Sequence, residues 1–300
     1  AIQTRKSALS IDCEVPVTVC CWYLFTWCCV LQSQAWMRSF CRLNSLIRSA
    51  SRLNRGMPYL DIKSMRIPYR KEVDRFTDFS LKFKNPFLQF KQWFEEAVTC
   101  PDVFEANAMV LSTVSRLFRI FLTIFPAREG RPSSRFVLLK GLDERGFQFF
   151  TNASSQKGKE METNKHVSLL FYWEPLKRQV RINGEATLLP EEEAVSYFSS
   201  RPKSSQIAAF VSDQSAPVCS DAALLSEFKK AEKEFDSTST VPKPKSWVGY
   251  SVMPDSVEFW QGQTNRLHDR ILFFRPNSST PMSEFAKPGD DGWYYERLAP

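Results

Sequence analysis

Histidine is nearly missing: His166 and His268 are the only two in 300 residues. The sequence also has no GxGxxG, GxxxxGK(S/T), HExxH or GxSxG motif. Those gaps remove the dinucleotide fingerprint, the P-loop, the zinc-protease helix and the hydrolase elbow. A catalytic triad could use only one of the histidines, and no nucleophile motif accompanies either. Cysteine is scarce where it would matter. Six of the eight lie in the first 41 residues, leaving Cys100 and Cys219 for the rest. Two distant cysteines make no disulfide framework, which points to a reducing compartment. The CC pairs lack the CxxC spacing and the histidines of a zinc site, so no metal is expected.

Charge of one sign is also lacking where it would count. The net charge is +7, yet residues 1–60 hold seven Lys/Arg and two acids, leaving 33 basic and 31 acidic residues for 61–300. A nearly neutral body argues against a nucleic-acid surface. The apolar run at 15–32 is of marginal spanning length and carries Pro16, two threonines and four cysteines, so no membrane span is expected. Residues 37–56 hold five arginines, several serines and no acid. They have the composition of a mitochondrial transit peptide starting at Met37, against the plainer reading of a disordered or wrongly assigned leader. Residues 1–60 are therefore set aside from the fold, in a chain expected to be cytoplasmic unless the leader directs it to mitochondria.

Phenylalanine, by contrast, occurs 25 times. "NPFLQFKQWFEEAV" (85–98) predicts a helix capped by Asn85, with Phe87, Phe90, Trp93, Phe94 and Ala97 on one face. Strand-like runs follow at 107–115, 135–141, 146–152, 166–174 and 178–189, with a hairpin expected at "DERG" between the second and third. Helices are expected at 190–202 and 220–235, and further strands at 246–254, 256–263, 269–274 and 293–300. The pattern is α+β with a β-barrel centre. Residues 116–127 ("RLFRIFLTIFPA") fit neither period.

Anion-binding chemistry is the main signal. Tyr197, Arg201 and Ser205 are four apart, and Pro202 ends one helix and can begin the next. Arginine, hydroxyls and free backbone N–H groups suit a phosphate monoester, although a solvated helix–helix corner would read the same. In "TNASSQKGKE" serines open a helix ahead of Lys157 and Lys159, which is either a second phosphate site or a capped surface helix. In "RFVLLK" Lys140 falls out of phase with Val137 and Leu139, so Arg135 and Lys140 either line a pocket or are solvated strand ends.

Taken with "FKQWFEEAV", "EANAM", "SSRFVLLKG", "GFQFFTN", "FYWEPLKRQVRINGE", "YFSSRPKSSQI", "VPKPKSW", "EFWQGQTNRLHDR" and "YERLAP", these stretches resemble the pyridoxine (pyridoxamine) 5′-phosphate oxidases from about residue 65 to Pro300. The resemblance implies an FMN-binding split β-barrel with flanking helices, homodimeric, each site built by both subunits. It implies FMN contacts from Arg135, Phe136, Val137, Leu138, Phe150, Thr151, Gln156, Lys157, Gln179, Gln214, Ser215, Trp260 and Arg270. Substrate contacts would come from Lys140, Tyr197, Arg201, Ser205, Arg266, Leu267 and His268, with Arg266 and His268 catalytic and alternating on a strand end. The implied reaction is oxidation of pyridoxine or pyridoxamine 5′-phosphate by hydride transfer to FMN, with O2 as acceptor. Residues 61–84 match an arm over the site, and 85–300 the oxidase domain. Three departures stand out. Gln156 occupies a position that is usually Arg, which implies weaker FMN binding. Lys71 replaces a Gly of the arm. Residues 116–127 are added between two strands, read either as a long loop or, preferably, as a retained intron or splice variant that invites misfolding.

Overall fold

The computed structural model describes residues 69, 75–115, 130–236, 240–276 and 282–300. The leader, the 116–127 segment and Lys71 lie outside the described residues.

Helix α1 (Pro86–Thr99) starts where the sequence places it. The Asn85 side chain accepts hydrogen bonds from the N–H groups of Phe87 and Leu88, and Pro86 occupies the first turn, where its missing N–H costs nothing. Phe90, Trp93 and Ala97 are buried on the face the period picks out. Their rings meet those of the sheet edge-on. The Phe90–Phe147 centroids are 4.9 Å apart and the Trp93–Phe259 centroids 5.2 Å, geometries that the ring quadrupoles favour. Truncating Phe90 or Trp93 to alanine would cost about 3–5 kcal/mol.

The sheet is antiparallel throughout. Its strands are β1 (Ala108–Thr113), β2 (Ser133–Leu138), β3 (Gly141–Asp143), β4 (Gly146–Asn152), β5 (His166–Trp173), β6 (Arg178–Leu188), β7 (Trp247–Gln261), β8 (Asp269–Phe274), β9 (Lys287–Pro288) and β10 (Tyr294–Arg297). The order is β2-β1-β5-β6-β7-β8-β10-β9, with β4 joined to both β3 and β7, and the ladder does not close. β7 is the hub. One of its edges pairs with β6 along most of its length. The other is divided between β4, opposite 247–252, and β8, opposite 256–261. That division splits the barrel.

Two expectations need correction. The hairpin at "DERG" joins β4 to the short β3, not to 135–141, because β2 pairs with β1 instead. The chain changes partner between Leu139, whose N–H bonds Asn107 O, and Lys140, whose N–H bonds Gln148 O. The out-of-phase Lys140 follows from that switch. A Cβ on Gly146, at φ 113°, would lie 2.0 Å from Val252 O, so this turn requires glycine. Secondly, 246–254 and 256–263 form one strand rather than two. Pro254 falls where the β6 register shifts between Asn183 and Gly184, so its missing N–H coincides with an irregularity.

Helices α2 (Gln156–Thr163), α3 (Glu191–Ser200), α4 (Lys203–Val211) and α5 (Asp221–Asp236) complete the fold. Pro202 separates α3 from α4, as the sequence indicates. The last three form a small second core around Phe198, Ile207, Phe235 and Trp247 at one end of β7. No helix among the described residues is long and apolar enough to cross a membrane.

Candidate functional site

A cavity of about 820 Å³ opens between β2, β4, α2 and the α3–α4 corner. Its floor is aromatic. Phe150 stacks on Tyr197 at 4.4 Å and on Trp247 at 5.3 Å. Gly249 stands opposite Phe150 on the neighbouring strand, and a Cβ there would lie 2.7 Å from the Phe150 ring, so the stack depends on glycine.

Four cations line this cavity, Arg135, Lys140, Lys157 and Arg201, and no carboxylate does. Lys157 is only 8% exposed. Its Nζ donates to Gln214 Oε1 at 2.8 Å and to Ser155 Oγ at 3.2 Å. Burial, and then the nearby Arg135 charge, push its pKa down to about 8. Thr151 Oγ1 donates to the same Gln214 oxygen. Arg135 bonds Leu111 O, Thr113 Oγ1 and Ser133 Oγ, and its Nη2 lies 3.5 Å from Glu160 Oε2. Burial would raise the Glu160 pKa. Hydrogen bonds from Thr113, Gln156 and Ser133, with the Arg135 charge, outweigh that and keep it low.

Arg201 caps the end of α3 and lies over Trp247, its guanidinium carbon 5.2 Å from the ring centre. Its Nη1 is buried with no hydrogen-bond partner, and burial lowers its pKa. Lys140 Nζ lies 5.8 Å from the centre of the Tyr197 ring. Ser205 sits in the first turn of α4. Two desolvated cations, Lys157 and Arg201, the latter with an unpaired guanidinium nitrogen, are chemistry that a phosphate dianion completes.

Of the residues expected at the site, Arg135 to Leu138, Lys140, Phe150, Thr151, Lys157, Tyr197, Arg201, Ser205 and Gln214 line this one cavity. Gln156 and Ser215 adjoin it without lining it. Gln156 Nε2 turns to Glu160 Oε1 at 2.9 Å, and its N–H bonds Ser215 Oγ. Trp247 and Glu160 carry structure here that the sequence reading left unassigned. Their motifs, "KSW" and "KGKE", were in view, but a ring stack and an ion pair behind a cavity wall leave no spacing signal.

The remaining expected residues gather elsewhere on the protomer. Gln179, Trp260 and Arg270 stand opposite one another on β6, β7 and β8, which puts them on one face of the sheet. Arg270 Nε donates to the buried Glu258 at 2.7 Å, and its Nη1 to Ala299 O at 2.7 Å. The His268 ring lies 4.8 Å from Trp260 and 5.9 Å from Tyr69. The Arg266 guanidinium carbon lies 5.3 Å from the centre of the Tyr69 ring. Leu267 is exposed.

Arg266 and His268 are not on a strand end. They belong to the turn before β8, and Arg266 has φ 68°. His268 Nδ1 accepts the Gln263 N–H at 3.0 Å, which leaves the proton of the neutral ring on Nε2. Burial, and then Arg266, lower the His268 pKa, which favours that neutral form.

Residues 102–233 match the family described as pyridoxamine 5′-phosphate oxidase, and residues 247–300 match the pyridoxine 5′-phosphate oxidase C-terminal dimerisation region. The chain belongs to the pyridoxine/pyridoxamine 5′-phosphate oxidase family. The pyridoxine-5′-phosphate oxidase of Bos taurus is 49% identical over 80% of this chain and 88% of its own length. The pyridoxine/pyridoxamine 5′-phosphate oxidase of Bombyx mori is 45% identical over 85% of this chain and 97% of its own. Among solved structures, PhzG from Burkholderia lata 383, in complex with tetrahydrophenazine-1-carboxylic acid, aligns with a TM-score of 0.62. It is 26% identical, over 75% of this chain and 97% of that one. The region matching the dimerisation part of the oxidase family includes Trp260, Arg266, His268 and Arg270.

Proposed function

We propose that the chain, as a homodimer, oxidises pyridoxine 5′-phosphate and pyridoxamine 5′-phosphate to pyridoxal 5′-phosphate, with O2 as electron acceptor and release of H2O2. FMN is the cofactor, and when bound it supplies the two-electron redox chemistry. The observation that carries the reading is the cavity lined by four cations and no carboxylate, with Lys157 and Arg201 both short of counter-charge.

The residues present fit a phosphorylated flavin and a phosphorylated substrate side by side. Arg135, Lys157, Thr151 and Gln214 would hold the flavin, with the backbone of Phe136 to Leu138 along its edge. Gln156 and Ser215 would steady that end from just outside the cavity. Lys140, Tyr197, Arg201 and Ser205 would take the substrate phosphate. Holding both ligands in one cleft converts a bimolecular encounter into a positioned one. The Phe150–Tyr197–Trp247 stack would keep water from one side of the bound phosphates, which would strengthen each charge interaction there.

Arg266, His268, Trp260, Arg270 and Gln179 would come from the partner subunit, on the surface carried by the dimerisation region. Arg266 would bring its planar guanidinium to the pyridine ring and stabilise negative charge there. His268 would offer its Nε2–H as a donor, orienting the ring rather than removing a proton. Leu267 would pack between them.

Purified protein should be yellow and should consume oxygen and release peroxide when given either phosphorylated substrate. Colourless protein that gains no flavin on addition of FMN, and shows no turnover, would refute the reading.

A further inference from the structure

We infer that Asp269 is a positioning residue that sets substrate affinity, acting through Gln263 on His268 and through Arg75 and Phe76 on the arm. The inference rests on the reading above that Arg266 and His268 face the substrate.

Asp269 is fully buried and opens β8, next to His268 in the chain. Its carboxylate takes four donors, three from two distant segments and one from the turn just before it. Oδ1 accepts Arg297 Nη1 at 2.9 Å and Arg75 Nη2 at 3.2 Å. Oδ2 accepts Gln263 Nε2 at 2.8 Å and the Phe76 N–H at 3.0 Å. Phe76 is held from both sides, because Arg297 Nη2 donates to its carbonyl at 2.8 Å. Its ring packs on Trp93 with centroids 4.8 Å apart.

A buried carboxylate is an expensive way to hold a fold together, since apolar residues of similar volume often do so as well. What this one adds is direction. Gln263 is tied at both ends, its side chain to Asp269 and its backbone N–H to His268 Nδ1. The carboxylate therefore holds the side chain of the residue whose backbone N–H fixes the imidazole, and with it the ring proton on Nε2. The same carboxylate holds Arg75 and Phe76, close in the chain to Tyr69, whose ring meets His268 and Arg266. Orienting groups one bond removed from a working side chain behave in this way in metal sites and triads alike.

The test uses flavin-loaded Asp269→Asn, Arg75→Ala and Arg75→Lys beside the wild type. The readouts are KM and kcat for pyridoxine 5′-phosphate, the Kd for pyridoxal 5′-phosphate from its absorbance, flavin content and Tm. The Arg75 side chain is half exposed and Arg297 still pairs Asp269 without it, so its loss should spare the fold. Arg75→Ala should raise KM and Kd roughly tenfold, the scale of one charge-assisted bond, with kcat and flavin content changing far less. Arg75→Lys should recover part of that loss, and Asp269→Asn should exceed it. Variants that lower Tm but keep wild-type KM and Kd would reduce Asp269 to a structural role and overturn the inference. If Asp269→Asn does not fold, the Arg75 pair decides alone. A wild type that binds pyridoxal 5′-phosphate without turnover fails the functional reading, while the ratio of Kd values still decides this one.

Discussion

Arg201 lies over Trp247, its guanidinium carbon 5.2 Å from the ring centre, with Nη1 buried and unpaired. Trp247 is held independently by Phe198, edge-on at 5.2 Å, so the platform survives loss of the arginine. Arg201→Gln should therefore fold and bind FMN normally. Its kcat/KM for pyridoxamine 5′-phosphate should fall roughly 10- to 100-fold, the value of a desolvated bond to a charged group. Its activity on unphosphorylated pyridoxamine should stay at the low wild-type level. An equal loss on both substrates would remove Arg201 from the phosphate.

Lys157 gives a pH dependence of definite sign. Its folded-state pKa is depressed to about 8 from the ordinary 10.5. The unfolded chain thus binds more protons between these values, and stability of the flavin-free protein should rise with pH across that window. Lys157→Met should accordingly raise the Tm of the flavin-free protein below pH 8 while weakening FMN binding at least tenfold. In the wild type, FMN affinity should fall as pH rises past about 8, because the lysine must then take up a proton to meet the phosphate. Lys157→Arg should flatten that profile. Fluorescence titration of FMN between pH 6 and 10 reads both effects.

Much of the fold was legible because its signals are local. Asn85–Pro86 and the phenylalanine spacing announce α1, and the Ser155 cap announces α2. Pairing was harder to read. Alternation marks 135–141 as a strand, two to three residues late against the observed Ser133–Leu138, and says nothing of β1 as its neighbour; the switch at Leu139 and Lys140 depends on Asn107 and Gln148. Pro254 looks like a terminator until the register shift beside it is known. The positive φ of Arg266 was unreadable because no glycine marks the turn. The cationic cavity had a local signal in Tyr197, Arg201 and Ser205, although a solvated helix–helix corner would have read the same. The other half rested on resemblance, since no periodicity connects Gln179, Trp260 and Arg270. Only the register of β6, β7 and β8 sets them in a row.

Gln156 offers a gain of function. Its amide bonds Glu160, which also faces Arg135, so position 156 already touches the network behind the cavity. A cation there would add counter-charge to Glu160 and free Arg135 for an incoming phosphate. Gln156→Arg should lower the Kd for FMN roughly tenfold, the scale of one charge-assisted bond. Quenching of flavin fluorescence measures this directly. An unchanged Kd would mean that Arg135 and Lys157 already meet the need.

The division of the site between two clusters makes the strongest prediction. Arg201 and His268 line different cavities of the protomer. The first lies with Tyr197 and Lys157, the second with Leu267 and Arg297. If each working site pairs one cluster with its partner's counterpart, subunits carrying different lesions should complement. Arg201→Ala and Arg266→Ala should each be nearly inactive alone. In a hybrid dimer one site collects both lesions and the other collects none. Equal, random mixing should then restore about a quarter of wild-type turnover, as two-fold symmetry requires. The comparison is made on refolded or co-expressed subunits, normalised to bound flavin. Activity no higher than the mean of the two parents would place both clusters' functions within a single subunit, against the dimeric site.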